Sequence, residues 1–177
     1  MREFELTTDA LRDAIPGLSA GDRVFLTGTV YTSRDAAHKE LFRLLDEGKE
    51  LPFPLRDAVI YYAGPTPGHG GMAVGSCGPT TSARMDGFAP RLYRLGVAAT
   101  IGKGERDEGV KQAIRESGAV YLCAVGGAGA LIARHITAAE EIAFPELGCE
   151  SVKRLTVDRL PLIVAVDSTG GDIFERT

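Results

Sequence analysis

The stretch Gly75-Ser76-Cys77-Gly78-Pro79-Thr80-Thr81-Ser82-Ala83-Arg84-Met85 carries the residue types best suited to holding an anion. Its glycines let the backbone approach a ligand closely. Three hydroxyls in a row, Thr80, Thr81 and Ser82, then precede a predicted helix that opens with Arg84. Free amides, hydroxyls and a guanidinium at a helix start make a receptor for a carboxylate or another oxyanion. A single capping hydroxyl explains one of these residues, not three of them together with Arg84. Tyr31-Thr32-Ser33-Arg34-Asp35-Ala36-Ala37-His38-Lys39 offers a second arginine where a strand should give way to a helix. Ser33 is the expected cap, which puts Arg34 in the first turn, where it can grip a carboxylate bidentately. Local sequence alone favours the plainer reading of an ordinary cap followed by a solvated Arg34–Asp35 pair. His38 reads as structural. Lys103 lies between Gly102 and Gly104, which expose it either to a pocket or to a surface turn.

Two nucleotide motifs are absent. Gly96 lies one residue too far upstream of Gly102-Lys103 for a phosphate-binding P-loop, and Gly104 stands where Ser or Thr should bind magnesium. Gly127 and Gly129 begin a dinucleotide fingerprint, but Ile132 occupies the third glycine position. Close strand–helix packing or a partner surface explains that segment as well. Gly64-Pro65-Thr66-Pro67-Gly68-His69-Gly70-Gly71 is too rich in glycine and proline to be regular, and composition leaves open both an active-site loop and a mobile connection.

These segments need a scaffold. Apolar, β-branched runs predict strands over 24–31, 58–62, 119–125 and 162–166, with a weaker one over 97–101. Runs this apolar suit strands covered on both faces. Residues 153–157 alternate and read as an edge strand. Helical spacing joins Ala37, Leu41, Leu44 and Leu45, with Gly48 as the stop. The same spacing joins Met85, Phe88, Leu92 and Leu95 before Gly96, and Val110, Ala113 and Ile114 before Gly118; residues 131–135 suggest a fourth helix. Pro52 and Pro54 keep 51–55 extended. Strands alternating with helices predict an α/β fold, here a single domain over residues 1–177.

Composition limits the function classes. The chain has 24 acidic and 20 basic residues, a net charge of −4, which argues against a general nucleic-acid binder. No apolar run approaches the roughly 20 residues that span a bilayer. Acidic residues at Glu3 and Glu5 stand where a signal peptide would be apolar, so the expected location is cytoplasmic. Cys77, Cys123 and Cys149 are widely spaced and odd in number, which fits neither a disulfide framework nor a zinc site. No metal ligands are expected on this chain.

In sequence order, Gly28 to His38, Gly64-Pro65-Thr66-Pro67, Gly78 to Met85, Ile101 to Gly104 and Ala124 to Ala128 together resemble the β subunit of class I (iron–sulfur) fumarate hydratases. That family includes the L(+)-tartrate dehydratase β subunit, and the chain is also similar to the C-terminal domain of single-chain class I fumarases. The resemblance covers nearly the whole chain. It implies a swivelling β/β/α domain and a hydro-lyase that reversibly hydrates a small unsaturated dicarboxylate, fumarate to malate first among them. It implies a [4Fe–4S] cluster bound by a partner α subunit, in an α2β2 assembly, rather than by this chain. It assigns substrate binding to Arg34, Thr80, Thr81, Arg84 and Lys103, and makes Thr80 the candidate catalytic base. Cys77 is then a small packing residue, or a redox-sensitive neighbour of the site. A tartrate dehydratase β subunit, a non-catalytic dicarboxylate-binding domain of the same fold and a standalone nucleotide-dependent enzyme are the competing readings. The last is disfavoured by the broken glycine motifs.

The residue types suit that chemistry. Hydrating a double bond conjugated to a carboxylate builds negative charge on that carboxylate, which fixed cations stabilise. Arg34, Arg84 and Lys103 supply three. The proton exchanged at carbon needs a base, and a threonine hydroxyl serves only if neighbouring cations lower its effective pKa.

Overall fold

The computed structural model describes residues 1–175. Its strands are β1 (Glu3–Thr7), β2 (Arg23–Thr32), β3 (Val59–Tyr61), β4 (Ala99–Gly102), β5 (Val120–Cys123), β6 (Ile136–Ala143) and β7 (Val152–Val166). Its helices are α1 (Leu11–Ala14), α2 (Asp35–Asp46), α3 (Ala89–Arg94), α4 (Glu108–Ser117) and α5 (Gly129–Ala133). Strands β2, β3, β4 and β5 lie side by side and parallel. The long β7 pairs antiparallel with β5 along one edge and with β2 along the other, so the sheet closes on itself.

The closed ring explains the apolar runs. Val59 and Tyr61, Ala99 and Ile101, and Val120 and Leu122 point into one cluster with Val24, Leu26, Leu160, Leu162 and Val164. The alternate residues Ile60, Tyr62 and Tyr121 point outward, onto Ala37 and Leu41 of α2, Leu92 of α3, and Val110 and Ile114 of α4. Both faces are therefore buried, as the runs predicted. The result is one mixed α/β domain, with α2, α3 and α4 on the outside of the ring and α1 and α5 packed into the inner cluster. None of the described helices is long and apolar enough to cross a membrane.

Four expectations need correction. Residues 153–157 do not form an edge strand: together with 162–166 they make one 15-residue strand, and this part of it lies between β2 and β6. The edges are β1, which pairs only with β2, and β6, whose Thr137–Glu141 is exposed. The alanines and glutamates of β6 lack strand propensity, and pairing with β7 holds it in place. Strand β1 has no counterpart among the expected strands, because Glu3 and Glu5 interrupt its apolar Phe4 and Leu6. The helix expected from Met85 to Leu95 is broken into a 3-10 turn over Ser82–Met85 and then α3. Pro90 sits in the first turn of α3, the only helical position where its missing N–H costs nothing. Finally, Ser33 does not cap α2. Arg34 is the residue before the helix, with extended backbone, and the Ser33 hydroxyl turns to His38 instead.

Candidate functional site

Parallel strands end on one side of a sheet, and here those ends are stitched together by backbone hydrogen bonds. Beyond β2, Ser33 N donates to Tyr61 O at 3.0 Å. Beyond β3, Thr80 N donates to Tyr62 O at 2.7 Å, and Tyr62 N donates to Ile101 O at 2.8 Å. Ser82 N donates to Lys103 O at 2.9 Å, and Thr81 forms a parallel bridge with Lys103. The 80–82 segment crosses directly over the end of β4. A β-carbon at Gly102 would stand 1.9 Å from Ser82 Oγ, so only glycine admits the crossing. Residues 31–35, 80–84 and 103, three separate segments of sequence, thus meet at one end of the closed sheet.

The side chains are distributed less uniformly. Arg84, in the 3-10 turn rather than at the start of an α-helix, lays its guanidinium bidentately on the Asp35 carboxylate: Nε donates to Oδ1 at 3.2 Å and Nη2 donates to Oδ2. Arg34, one residue before Asp35, turns the other way. It packs on Gly64, and its buried Nε faces a buried Glu150 oxygen at 3.8 Å. That is an ion pair without a hydrogen bond, so this end of the guanidinium is desolvated yet unspent. Lys103 is exposed and lays its stem over Gly126. Thr80 is 9% exposed, and Thr81 stands open to solvent. The fold therefore unites Arg84, Asp35, Thr80, Thr81 and the Lys103 backbone, with Arg34 adjoining. Its guanidinium is directed at Glu150 rather than at Asp35.

A buried cation underlies this assembly. Arg106 is 4% exposed; its Nε donates to Asp86 at 2.7 Å, Nη1 to Thr100 Oγ1 at 3.1 Å and Nη2 to the Tyr62 hydroxyl at 3.2 Å. Its guanidinium also lies over the Tyr62 and Tyr121 rings. Tyr62 is the residue whose carbonyl holds Thr80. The Tyr121 hydroxyl stands 2.8 Å from both Gly104 O and Ser82 Oγ. The carbonyl can only accept, so Tyr121 donates to Gly104 and accepts from Ser82. Arg106, Asp86, Asp35 and Glu150 were not legible as site residues. Each charge looks like ordinary surface in sequence, and only tertiary pairing distinguishes it.

His38 is structural, as expected, and its role is specific. It is fully buried, with Nδ1 at 2.8 Å from both Arg34 O and Ser33 Oγ. A carbonyl cannot donate, so Nδ1 carries the proton and Nε2 is left as a buried lone pair without a partner. Burial lowers the pKa of His38 to about 4, so the ring is neutral. It fixes the turn from which Arg34 and Asp35 project.

The cysteines do not converge. Cys77 is 1% exposed, and burial pushes its thiol up to about 12, which makes it an inert packing residue rather than a redox-sensitive one. Cys123 is half-buried and Cys149 exposed. Among the described residues no three His, Cys, Asp or Glu side chains gather as metal ligands. A recess of about 760 Å³ lies at the opposite end of the sheet between Arg12, Asp57, Gly96 and Glu116. Arg12 is fully engaged there by Asp57 and by the carbonyls of Gly96, Ser117 and Gly118, so the recess reads as a scaffold feature.

Comparison with known proteins agrees with the motif reading. The family profile described as Fumarase C-terminus matches residues 1–177. "Fumarate hydratase class I, anaerobic" of Escherichia coli (strain K12) is 40% identical over 156 residues, covering 87% of this chain and 28% of that protein. "Fumarate hydratase 2" of Leishmania major is 37% identical over 171 residues, covering 96% of this chain and 30% of that protein. "Putative L(+)-tartrate dehydratase subunit beta" of Methanocaldococcus jannaschii is 39% identical over 165 residues, covering 90% of this chain and 85% of that protein. The chain thus spans less than a third of the fumarate hydratases named here and most of the tartrate dehydratase subunit.

Proposed function

From the premise that this chain belongs to the fumarase C-terminus family, we propose that it is the β subunit of an iron–sulfur hydro-lyase acting on a small unsaturated dicarboxylate. Fumarate-to-malate hydration is the first substrate pair to test and the tartrate reaction the second. We assign the closed sheet to the swivelling β/β/α class, as a single domain over residues 1–177, and the setting to the cytoplasm, which suits three unpaired cysteines.

The observation that carries this reading is the crossing of Thr80-Thr81-Ser82 over Gly102, which sets two hydroxyls and Arg84 beside Lys103 and the start of α2. In the proposed reaction Arg84 and Lys103 bind one substrate carboxylate and offset the charge that grows on it. Arg34 holds the other carboxylate through the guanidinium edge that Glu150 leaves free. Thr80, nearly buried, acts in this proposal as its alkoxide, its own proton having gone to solvent: the alkoxide takes the proton that leaves carbon in the dehydration direction to become the hydroxyl, and the hydroxyl gives that proton back to carbon in hydration. The chain's own donors do not fit a [4Fe–4S] cluster, since among the described residues no three His, Cys, Asp or Glu side chains gather and Cys77 is a buried thiol. The cluster therefore belongs to a partner α subunit, with two copies of each chain in the assembly.

The test is co-expression with the α subunit under anaerobic conditions, cluster reconstitution, and assay on fumarate, tartrate and mesaconate. Arg84→Ala should lower kcat/KM by roughly 30-fold to several-thousand-fold, the scale of losing a desolvated charge pair, about 2–5 kcal/mol. Normal turnover by Arg84→Ala with the cluster intact would place the anion site elsewhere.

A further inference from the structure

The site described above is open: Thr81, Arg84 and Lys103 are exposed. Beside it lies an apolar rim. Val125 and Leu131 are each 60% exposed, among the most exposed large hydrophobic side chains of the described residues. Between them lies a recess of about 180 Å³, lined by both together with Ala128, Ile132, His135 and Pro161. Single exposed apolar residues are ordinary, whereas two that flank an apolar recess mark a surface made to be covered.

This rim is fused to the site. The Lys103 stem rests on Gly126, close enough that a β-carbon there would come within 3.4 Å of Cδ. Cys77 N donates to Gly129 O at 3.1 Å, and a β-carbon at Gly129 would meet Ser76 Oγ at 2.3 Å. The segment 125–131 is thus packed on the same 75–84 stretch that carries Thr80 and Arg84. Anything seated on Val125 and Leu131 also stands over Lys103.

We propose that Val125 and Leu131, at the two ends of the glycine-rich turn into α5, are the apolar anchors on which the cluster-bearing chain docks, with Lys103 on the flank of that interface. The proposal rests on the function proposed above. The occupant is argued from chain length. In the fumarate hydratases this chain resembles, it matches 28–30% of the polypeptide, so more than two-thirds of each lies outside the matching segment. The proposed reaction requires a second polypeptide over this open face. An interface of that kind has a desolvated apolar centre and a charged rim, which is the arrangement of Val125 and Leu131 beside Lys103.

The experiment measures association of this chain with the co-expressed cluster-bearing chain, by calorimetry or analytical ultracentrifugation. Val125→Glu and Leu131→Glu are compared with Leu95→Glu, an exposed apolar position (45%) at the far end of the sheet. Weakening of roughly 30-fold or more at 125 and 131, with wild-type affinity at 95, is the expected result for buried interface anchors. Equal affinity for all three variants, or equal loss for all three, overturns it. Amide hydrogen exchange on the unmodified complex gives an answer that does not depend on any variant folding. Residues 125–135 should gain protection on assembly, and unchanged exchange there overturns the proposal. If wild-type chain assembles and turns over while these tests fail, only the docking surface is wrong. If wild-type chain binds no cluster-bearing partner, the proposed function falls with it.

Discussion

Asp35 is where stability and activity should separate most clearly. Its carboxylate accepts both Nε and Nη2 of Arg84, which leaves the Nη1 edge of the guanidinium for a ligand. The Arg84 side chain is 49% exposed and that of Asp35 31%. A pair so exposed contributes only ~0–1 kcal/mol to folding. As a first-turn acid, Asp35 adds ~0.3–1 kcal/mol through the α2 dipole. Asp35→Asn should therefore lower the melting midpoint by no more than roughly 8 °C, at ~2–4 °C per kcal/mol for a chain of this size. Its effect on turnover should be larger. Freeing the Arg84 fork removes a charge-assisted hydrogen bond that orients it, worth about 1.5–3 kcal/mol, or roughly 10- to 150-fold in kcat/KM. The loss should be shared between a raised KM and a lowered kcat, because the proposed role of Arg84 is both to hold the substrate carboxylate and to offset the charge that grows on it. Steady-state kinetics of the reconstituted complex, run beside thermal melts of the isolated chain, measure both quantities. Asp35→Glu should recover part of the loss. An unchanged or lower KM in Asp35→Asn would show that the carboxylate competes with substrate for Arg84 and would refute the positioning argument.

Three further outcomes are expected. Thr80→Val keeps volume and removes the hydroxyl, so kcat should fall by roughly 100-fold or more with KM within a few-fold; a variant with wild-type kcat would remove Thr80 from the proton path. Asp86→Ala leaves the Arg106 charge buried without its carboxylate, at a cost of about 3–5 kcal/mol, and should lower the melting midpoint by roughly 6–20 °C; a shift under about 2 °C would mean that Tyr62, Tyr121 and Thr100 suffice to hold the guanidinium. His38, neutral when folded with a pKa near 4 but near the ordinary 6.5 when unfolded, binds protons preferentially in the unfolded chain between those values. Its contribution is intact above about pH 6.5 and falls by on the order of 3 kcal/mol as pH drops toward 4. His38→Asn, whose amide can stand where Nδ1 stood, should flatten urea stability across that window; an unchanged pH slope would assign the titration to another group.

The strands that close the ring were legible because they are buried on both faces, and continuous apolar runs such as Val120-Tyr121-Leu122 have few other uses. The helices α2 and α4 were legible from spacing and from Gly48 and Gly118, both at positive φ just beyond the last turn. Elements whose order comes from pairing rather than composition were missed. Strand β6 has one buried residue at its start and depends on β7 for its shape. At the site, residue types revealed the cations but not their partners. Arg84 finds Asp35 at a separation of 49 residues, and Arg106 finds Asp86 at 20. Nothing local to either residue encodes such a pairing.

Gly102 shows how a correct residue was read for an incomplete reason. In sequence, the glycines on either side of Lys103 look like a means of exposing the lysine. Gly104, with φ of 81°, does serve the turn that carries it outward. Gly102 lies inside β4 and is fully buried, where flexibility would only weaken the strand. Its absent side chain is what lets Ser82 cross the strand end and Thr80 hang from Tyr62 O. A methyl group there would push against the Ser82 hydroxyl and the Tyr62 ring, with Cδ2 at 2.9 Å, and both sit in the Arg106–Tyr121 network. The strand end, the hydroxyl segment and the buried arginine therefore cannot shift independently. The open face that carries Thr81, Arg84 and Lys103 owes its shape to a packing requirement beneath it.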